Sequence, residues 1–326
     1  MPETIFRLAG LLAKAMRAAM RAVLVMSCVV ILVFFLMRFA PGDPVATMLG
    51  EGATEATVVS VRAQLGLDVP LLVQLGRYMA GVAVGDFGLS LSFQRPALDL
   101  VLEALPKTLL LSGISFLLTL AVAVPVGVAA ALARGTRTER VISGVVLVLQ
   151  TIPPFWVGIM LIHVFSLRLQ ILPTSGADSW RHVMLPAATL SLFQIALIVR
   201  SLRSAMLEIL KEDYIRTARA KGLRRSRIVI RHVLANALNP VITVMALQLG
   251  TLLSGAVITE AVFAWPGIGS LALGAILSRD YAMAQAIVIC ASMLVVLLNM
   301  FADLVVSVID PRVRDGALQS RSGFGG

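Results

Sequence analysis

Residues 108–133 read TLLLSGISFLLTLAVAVPVGVAAALA, a run without one charged side chain. A helix needs about 20 apolar residues to cross a bilayer's hydrocarbon core, and this run is longer. Lipid offers the backbone no hydrogen-bond partner, so such a run must close its own bonds as a helix. Working outward, residues 141–167, 232–259 and 281–302 are also free of charge and long enough to span. Two shorter runs, 22–37 and 183–199, reach across if the flanking Arg21, Arg38, Arg181 and Arg200 snorkel. The expectation is an all-α polytopic membrane protein with six transmembrane helices. The whole chain agrees, with 326 residues that are 58% hydrophobic and 14% charged.

The charges between the runs set an orientation. With the N-terminus inside, the inside segments hold four Lys/Arg before the first span, three at 134–140, ten at 200–231 and three after 310. That is 20 of the 28 basic residues, while 10 of the 18 acids fall on the other face. Cytoplasmic loops carry such an excess of Lys and Arg, so both termini are expected in the cytoplasm. The net charge of +10 therefore reads as loop bias rather than as nucleic-acid binding. Cys28 and Cys290 both fall inside spans, and no disulfide or Cys-based metal site is suggested. Phe39-Ala40-Pro41 is a poor cleavage site, so the first span is read as retained.

In chain order, residues 1–39 comprise a basic amphipathic lead-in, read as an interfacial helix, and span 1. Residues 40–106 form an extracytoplasmic segment, too long for a bare loop, with helices expected at Thr54 to Leu65 and Leu71 to Val84. Residues 107–314 carry spans 2 to 6, and residues 315–326 a flexible cytoplasmic tail. Span 3 contains Pro153-Pro154 near its middle, where a simple kink and a bend facing a water-filled path are both open. Span 5 carries Gln248, Gly250 and Ser254, the last two at the spacing that lets helices approach closely. That packing is either internal or a seam against a second subunit. Together with Gln150, Asn299 and Asp303 these residues are candidates for the translocation path or the subunit seam. Gln194 is a further amide in the spans, and Asp303 suits either a path role or a structural one paired with an Arg. After Glu260, the aromatic and Gly/Pro-broken stretch Phe263 to Gly269 suits a re-entrant or interfacial element.

The most polar segment is Arg200 to Arg231, with ten Lys/Arg against Glu208, Glu212 and Asp213. Asp213 is placed to cap a short helix starting at Tyr214, Gly222-Leu223 to stop it, and Ser226 to cap the helix that follows. The charge alone suits an anchor on anionic lipid. The capped helix suits docking of a soluble partner, and the two roles are compatible.

Chemistry is conspicuous by its missing motifs. The phosphate-cradling GxxxxGK[ST] does not occur, since the Lys107-Thr108 pair follows Pro106. His163, His182 and His232 are each followed by Val, which removes HExxH. The chain is not expected to be an enzyme, and whatever drives it must come from a partner or a gradient.

The run Asp213-Tyr214-Ile215-Arg216-Thr217-Ala218-Arg219-Ala220-Lys221-Gly222-Leu223 resembles the cytoplasmic coupling loop of ABC importer permeases, and specifically those of the dipeptide/oligopeptide family. Pro41-Gly42-Asp43-Pro44, Gly85-Asp86-Phe87-Gly88, Phe263 through Gly269, Arg279-Asp280-Tyr281 and Asp310-Pro311-Arg312 follow in the family's order. Pro41-Gly42-Asp43-Pro44 directly after span 1 is similar to the first of the two permeases such systems pair. Arg216 and Thr217 stand where the general importer signature has Glu and Ala, while Ala218 and Gly222 fit. The resemblance implies partners: a second permease, two ATPase subunits that hold ATP and Mg, and an extracytoplasmic peptide-binding protein. It implies no cofactor in this chain and makes Asp213, Tyr214, Ile215, Ala218, Lys221, Gly222 and Leu223 the ATPase-coupling residues. Ala218 and Gly222 would let the helix sit in a partner's groove, with Tyr214, Ile215 and Leu223 as anchors. A carrier driven by an ion or proton gradient is the rival, and it would favour charge at mid-membrane.

Overall fold

The computed structural model describes residues 2–39, 54–64 and 68–309. Pro41-Gly42-Asp43-Pro44, Asp310-Pro311-Arg312 and the expected tail lie outside them. Among the described residues the regular elements are helices, joined by one isolated bridge between Leu89 and Pro96. They are α1 (Pro2–Phe39), α2 (Glu55–Gln64), α3 (Leu71–Ala83), α4 (Ala97–Leu132), α5 (Arg137–Thr151) and α6 (Pro154–Leu161). Next come α7 (Met184–Ile209), α8 (Asp213–Ala220), α9 (Ala235–Val262), α10 (Ile268–Leu277) and α11 (Tyr281–Ile309). Among the described residues five helices are long and apolar enough to cross a membrane, or six when α5 and α6 with its π-helical extension count as one bent span. The six expected spans are thus present.

Three expectations change in detail. The lead-in is not a separate interfacial element, because it runs into span 1 as one 38-residue helix. Span 3 is not a kinked rod but two half-helices meeting at 101°. Pro153 and Pro154 sit at that break, and Ile152 and Pro153 are extended (φ −80°, ψ 127° and φ −61°, ψ 132°), as residues preceding proline favour. Arg200 does not open a loop, since α7 carries on to Ile209.

The chain forms two compact units. One is Met1–Lys107 with Gly267–Leu297, and the other is Thr108–Pro266 with Leu298–Gly326. In the first, Ala97, Val101 and Ala104 of α4 bury against Met283, Ala286 and Ile287 of α11. In the second, α7 is the enclosed helix: 67% of its apolar window is buried, against 28% for α4. Ile195, Val199, Leu202 and Met206 recur at three- and four-residue intervals and form its inward stripe. Gly127 lets α4 approach that stripe, because a Cβ there would stand 3.0 Å from the Leu202 side chain.

Candidate functional site

The short polar helix α8 forms where the sequence places it, with different end chemistry. Asp213 is its first residue rather than its cap; Glu212 takes the cap position in extended backbone (φ −63°, ψ 144°) without a side-chain bond. The Glu212 carbonyl accepts from the Ile215 and Arg216 N–H groups, and the Asp213 carbonyl accepts from Thr217 Oγ1 at 3.1 Å. Ser226 also falls inside its helix, with Arg224 in the cap position. The stop is as expected. Gly222 adopts φ +74°, its N–H bonds to the Arg219 carbonyl, and the Leu223 N–H reaches back to the Ala218 carbonyl at 3.3 Å. This is the paired closure of a helix ending in left-handed backbone, where glycine lacks the Cβ penalty.

The two faces of α8 differ sharply. Ile215 is fully buried and Ala218 nearly so, within a core that includes Leu202, Met206, Ile228 and Val233. Three-residue spacing puts both on one side of the helix. They therefore hold α8 to its own bundle and are not surface contacts for a partner, which corrects the expectation for Ile215 and Ala218. Leu223 is half-buried against the same core. Asp213, Tyr214, Arg216, Thr217 and Lys221 are exposed and make up the outer face. Tyr214 keeps 44% of its surface in solvent. Partial desolvation, then the charge of Glu212, raises its phenol above the ordinary tyrosine value, and a 3.5 Å contact from Asn236 Nδ2 opposes this.

The helical extension of α7 is tied down in part by Arg203 and Glu139, which the sequence reading had left aside. Arg203 donates from Nε to Glu139 Oε1 at 3.0 Å and forms a second bond from Nη2 to the same oxygen. The other Glu139 oxygen accepts from the Gly135 N–H at 2.5 Å. Arg200 donates to Gln150 Oε1 at 3.0 Å, so Gln150 braces two helices. A sequence signal existed for Glu139: it stands three residues after Thr136, the spacing of a helix-start capping box, and Thr136 does cap α5.

Of the other seam or path candidates, Gln248 belongs to a small network between α7 and α9. Gln194 Nε2 donates to Thr251 Oγ1 at 3.2 Å, and Thr251 lies 2.7 Å from Gln248 Oε1. Gln194 Oε1 is buried without a hydrogen-bond partner and borders a cavity of about 10 Å³. Gly250 is half-buried on α9, and Asn299 is exposed on α11. Ser254 and Asp303 lie on those helices, and their side chains fall outside the described part. Pairing of Gly255 with Leu190 shows that small residues of α9 do serve internal packing.

Two buried carboxyl groups complete the polar interior. Glu260 accepts from Thr108 Oγ1 at 2.6 Å, both residues being buried. Asp280 accepts from Ser90 Oγ at 2.5 Å, from the Ser92 N–H at 3.1 Å and from the Met283 N–H at 3.1 Å. No group of three or more His, Cys, Asp or Glu gathers at metal-binding distance among the described residues.

Residues 123–315 match the family described as the binding-protein-dependent transport system inner membrane component, and residues 11–112 match the N-terminal part of such membrane components. The dipeptide transport system permease protein of Escherichia coli (strain K12) is 38% identical over 318 residues, covering 88% of this chain and 94% of its own. The glutathione transport system permease protein of Salmonella paratyphi A is 39% identical over 286 residues, covering 88% and 94%. Among solved structures, an inward-facing methionine ABC transporter superposes with a TM-score of 0.57 at 21% identity, covering 65% of this chain and 96% of that one. That last likeness concerns the fold alone.

Proposed function

This chain belongs to the inner-membrane component family of binding-protein-dependent transport systems, and we propose that it is the first of two paired permeases in an ATP-driven importer of di- and oligopeptides. It is a multi-pass transport subunit, and ABC importer permeases are its relatives and its structural neighbours. The observation that carries the substrate class is the pair of relatives named for dipeptide and glutathione, each aligned over 88% of the chain. Both ligands are short peptides with amide backbones. This favours the ATP-driven reading over a carrier run by an ion or proton gradient. A second permease, two ATPase subunits holding ATP and Mg, and an extracytoplasmic peptide-binding protein are the partners in this reading. The excess of Lys and Arg in the loops supports a cytoplasmic position for both termini.

Coupling runs through α8. Its inner face is part of the same core as the ends of α4 and α7 and the entry to α9, so a push on its outer face reaches the spans without a flexible joint. Closure of the ATPase pair draws the α8 helices of the two permeases together and rocks the spans outward. Moving such an equilibrium from 1:99 to 99:1 takes about 5.5 kcal/mol of differential binding. Exposed Tyr214 and Lys221, with Asp213 at the helix start, are the outer contacts. Ile215, Ala218, Gly222 and Leu223 set the helix's position. Gln150, Gln248, Gly250, Ser254, Asn299 and Asp303 remain the candidates for the path or the seam between permeases.

The test uses the assembled complex in vesicles with a radiolabelled dipeptide. Tyr214→Arg with Lys221→Glu should abolish uptake and weaken retention of the ATPase subunits while the permease melts normally. Wild-type uptake by that variant would sink the coupling assignment. Wild-type complex that stimulates its ATPase with loaded binding protein yet moves no peptide would sink the substrate class alone.

A further inference from the structure

Beside α8 lies a cavity of about 530 Å³ that the proposed transport role does not use. Its floor is apolar, with Leu207 and Leu223 half-buried and Ile228 buried. Its rim carries Arg134, Lys211, Arg219 and Arg225, all exposed, and among the described residues no carboxylate lines it. Arg134 and Lys211 each stand two residues beyond the ends of α4 (Leu132) and α7 (Ile209), so these cations lie where apolar spans give way to polar chain. Glu139, whose charge Arg134 feels, already accepts from Arg203 and Gly135. Among the described residues none of the four rim cations forms an ion pair.

We propose that this cavity is a binding site for one anionic phospholipid, with its phosphate on the Arg134–Lys211–Arg219–Arg225 rim and the start of an acyl chain on the Leu207–Leu223–Ile228 floor. Three features commit the site to a lipid. Four cations around one opening call for an anion, and guanidinium groups meet phosphate oxygens in a fork geometry. The floor is continuous with the ends of membrane spans, so a molecule already in the bilayer enters sideways. A volume of about 530 Å³ exceeds what a free phosphate fills and falls in the range of sites for larger ligands. Because the site's wall includes Arg219 and Leu223 at the end of α8, an occupant braces the coupling helix against the spans. The inference rests on the cytoplasmic placement of this face proposed above, where anionic lipid attracts basic segments.

The experiment is native mass spectrometry of the full chain released from an uncharged detergent, with dioctanoyl phosphatidylglycerol and dioctanoyl phosphatidylcholine as probes. Phosphatidylglycerol should be retained preferentially, and Arg134→Gln with Lys211→Gln should lower its retention about tenfold or more. Arg168→Gln with Arg181→Gln, which removes two exposed cations elsewhere in the chain, should leave retention unchanged, and the charge-keeping Arg134→Lys with Lys211→Arg should retain more lipid than the glutamine variant. Equal retention of the two lipids, an unaffected glutamine variant or displacement by inorganic phosphate would each overturn the proposal. So would a glutamine variant that keeps its lipid but loses co-purifying ATPase subunits, because the surface would then be a protein contact. Retention in detergent does not depend on sidedness. A Gly135→Cys variant labelled in sealed cells tests orientation separately: its modification by an impermeant reagent from outside would overturn the cytoplasmic placement, not the lipid site.

Discussion

Two helices of this chain, α8 and α10, stop in the same way and are built for opposite purposes. At the end of α8, Gly222 is left-handed and Leu223 reaches back to the Ala218 carbonyl. At the end of α10, Arg279 is left-handed (φ +52°), its N–H bonds to Ile276 and the Asp280 N–H reaches back to the Ala275 carbonyl. The first ending uses the residue that accepts positive φ freely and leaves open space around it. The second uses an arginine, in a conformation that an L side chain enters at a cost of about 1–2 kcal/mol. What compensates it is the next residue. Asp280 is buried, and its carboxyl gathers Ser90, Ser92 and the start of α11. Where a segment is fixed by saturated buried bonds, local strain is tolerated; where a segment presents an exposed face, the stop itself must be unstrained.

The comparison breaks first at Asp280. Asp280→Ala leaves the buried Ser90 hydroxyl and two backbone N–H groups without their acceptor, and orphaned donors of this kind together cost about 3–5 kcal/mol. A large drop in the melting temperature of the detergent-purified chain is expected. An unchanged midpoint would mean that the segment around Ser90 is held by something else.

The next largest effect belongs to α8. Ile215 is fully buried, and truncating a core isoleucine to alanine costs about 2–5 kcal/mol. Since α8 is short, Ile215→Ala should loosen it locally and spare the spans. Hydrogen exchange should therefore rise over residues 213–223 and stay unchanged in α7. A uniform rise across both would show that Ile215 supports the end of α7 as much as it holds α8.

These two sites also mark what the sequence could disclose. The spans were legible because membrane insertion demands long charge-free runs, and α8 because its stop requires glycine. The inward turn of Ile215 and Ala218 was available from three-residue spacing, yet the family likeness drew attention to partner contacts instead. Asp280 was visible only as part of a motif, since its hydroxyl partner is 190 residues away. Glu139 carried a helix-start signal, but its pairing did not show, because Arg203 lies 64 residues on, inside what looked like the start of a basic loop. Charge density marks a loop poorly when a helix carries its arginines back against its own bundle.

A smaller effect sharpens the contrast between the two stops. Gly222→Ala meets no atom within 4 Å, so its cost is conformational alone. About 1 kcal/mol is expected, with Gly222→Asn costing less because asparagine tolerates left-handed backbone. Exchange protection at the Leu223 amide, which closes the stop, is the measurement. Equal loss in both variants would point to a steric role that the open surroundings do not offer.

The smallest effect has the opposite sign. Arg279→Gly relieves left-handed strain of about 1–2 kcal/mol, offset by about 0.5–1 kcal/mol of extra chain entropy in the unfolded state. A net stabilisation of about 0.5 kcal/mol follows from those two figures, seen as a slight rise in melting temperature. The change should vanish in an Asp280→Ala background if loss of the buried carboxyl already frees the turn, because the strain exists only while Asp280 holds its neighbour in place. If Arg279→Gly instead destabilises the chain in both backgrounds, the arginine side chain itself contributes to the fold, and the α10 stop is not a strained copy of the α8 stop but a different device that shares its geometry.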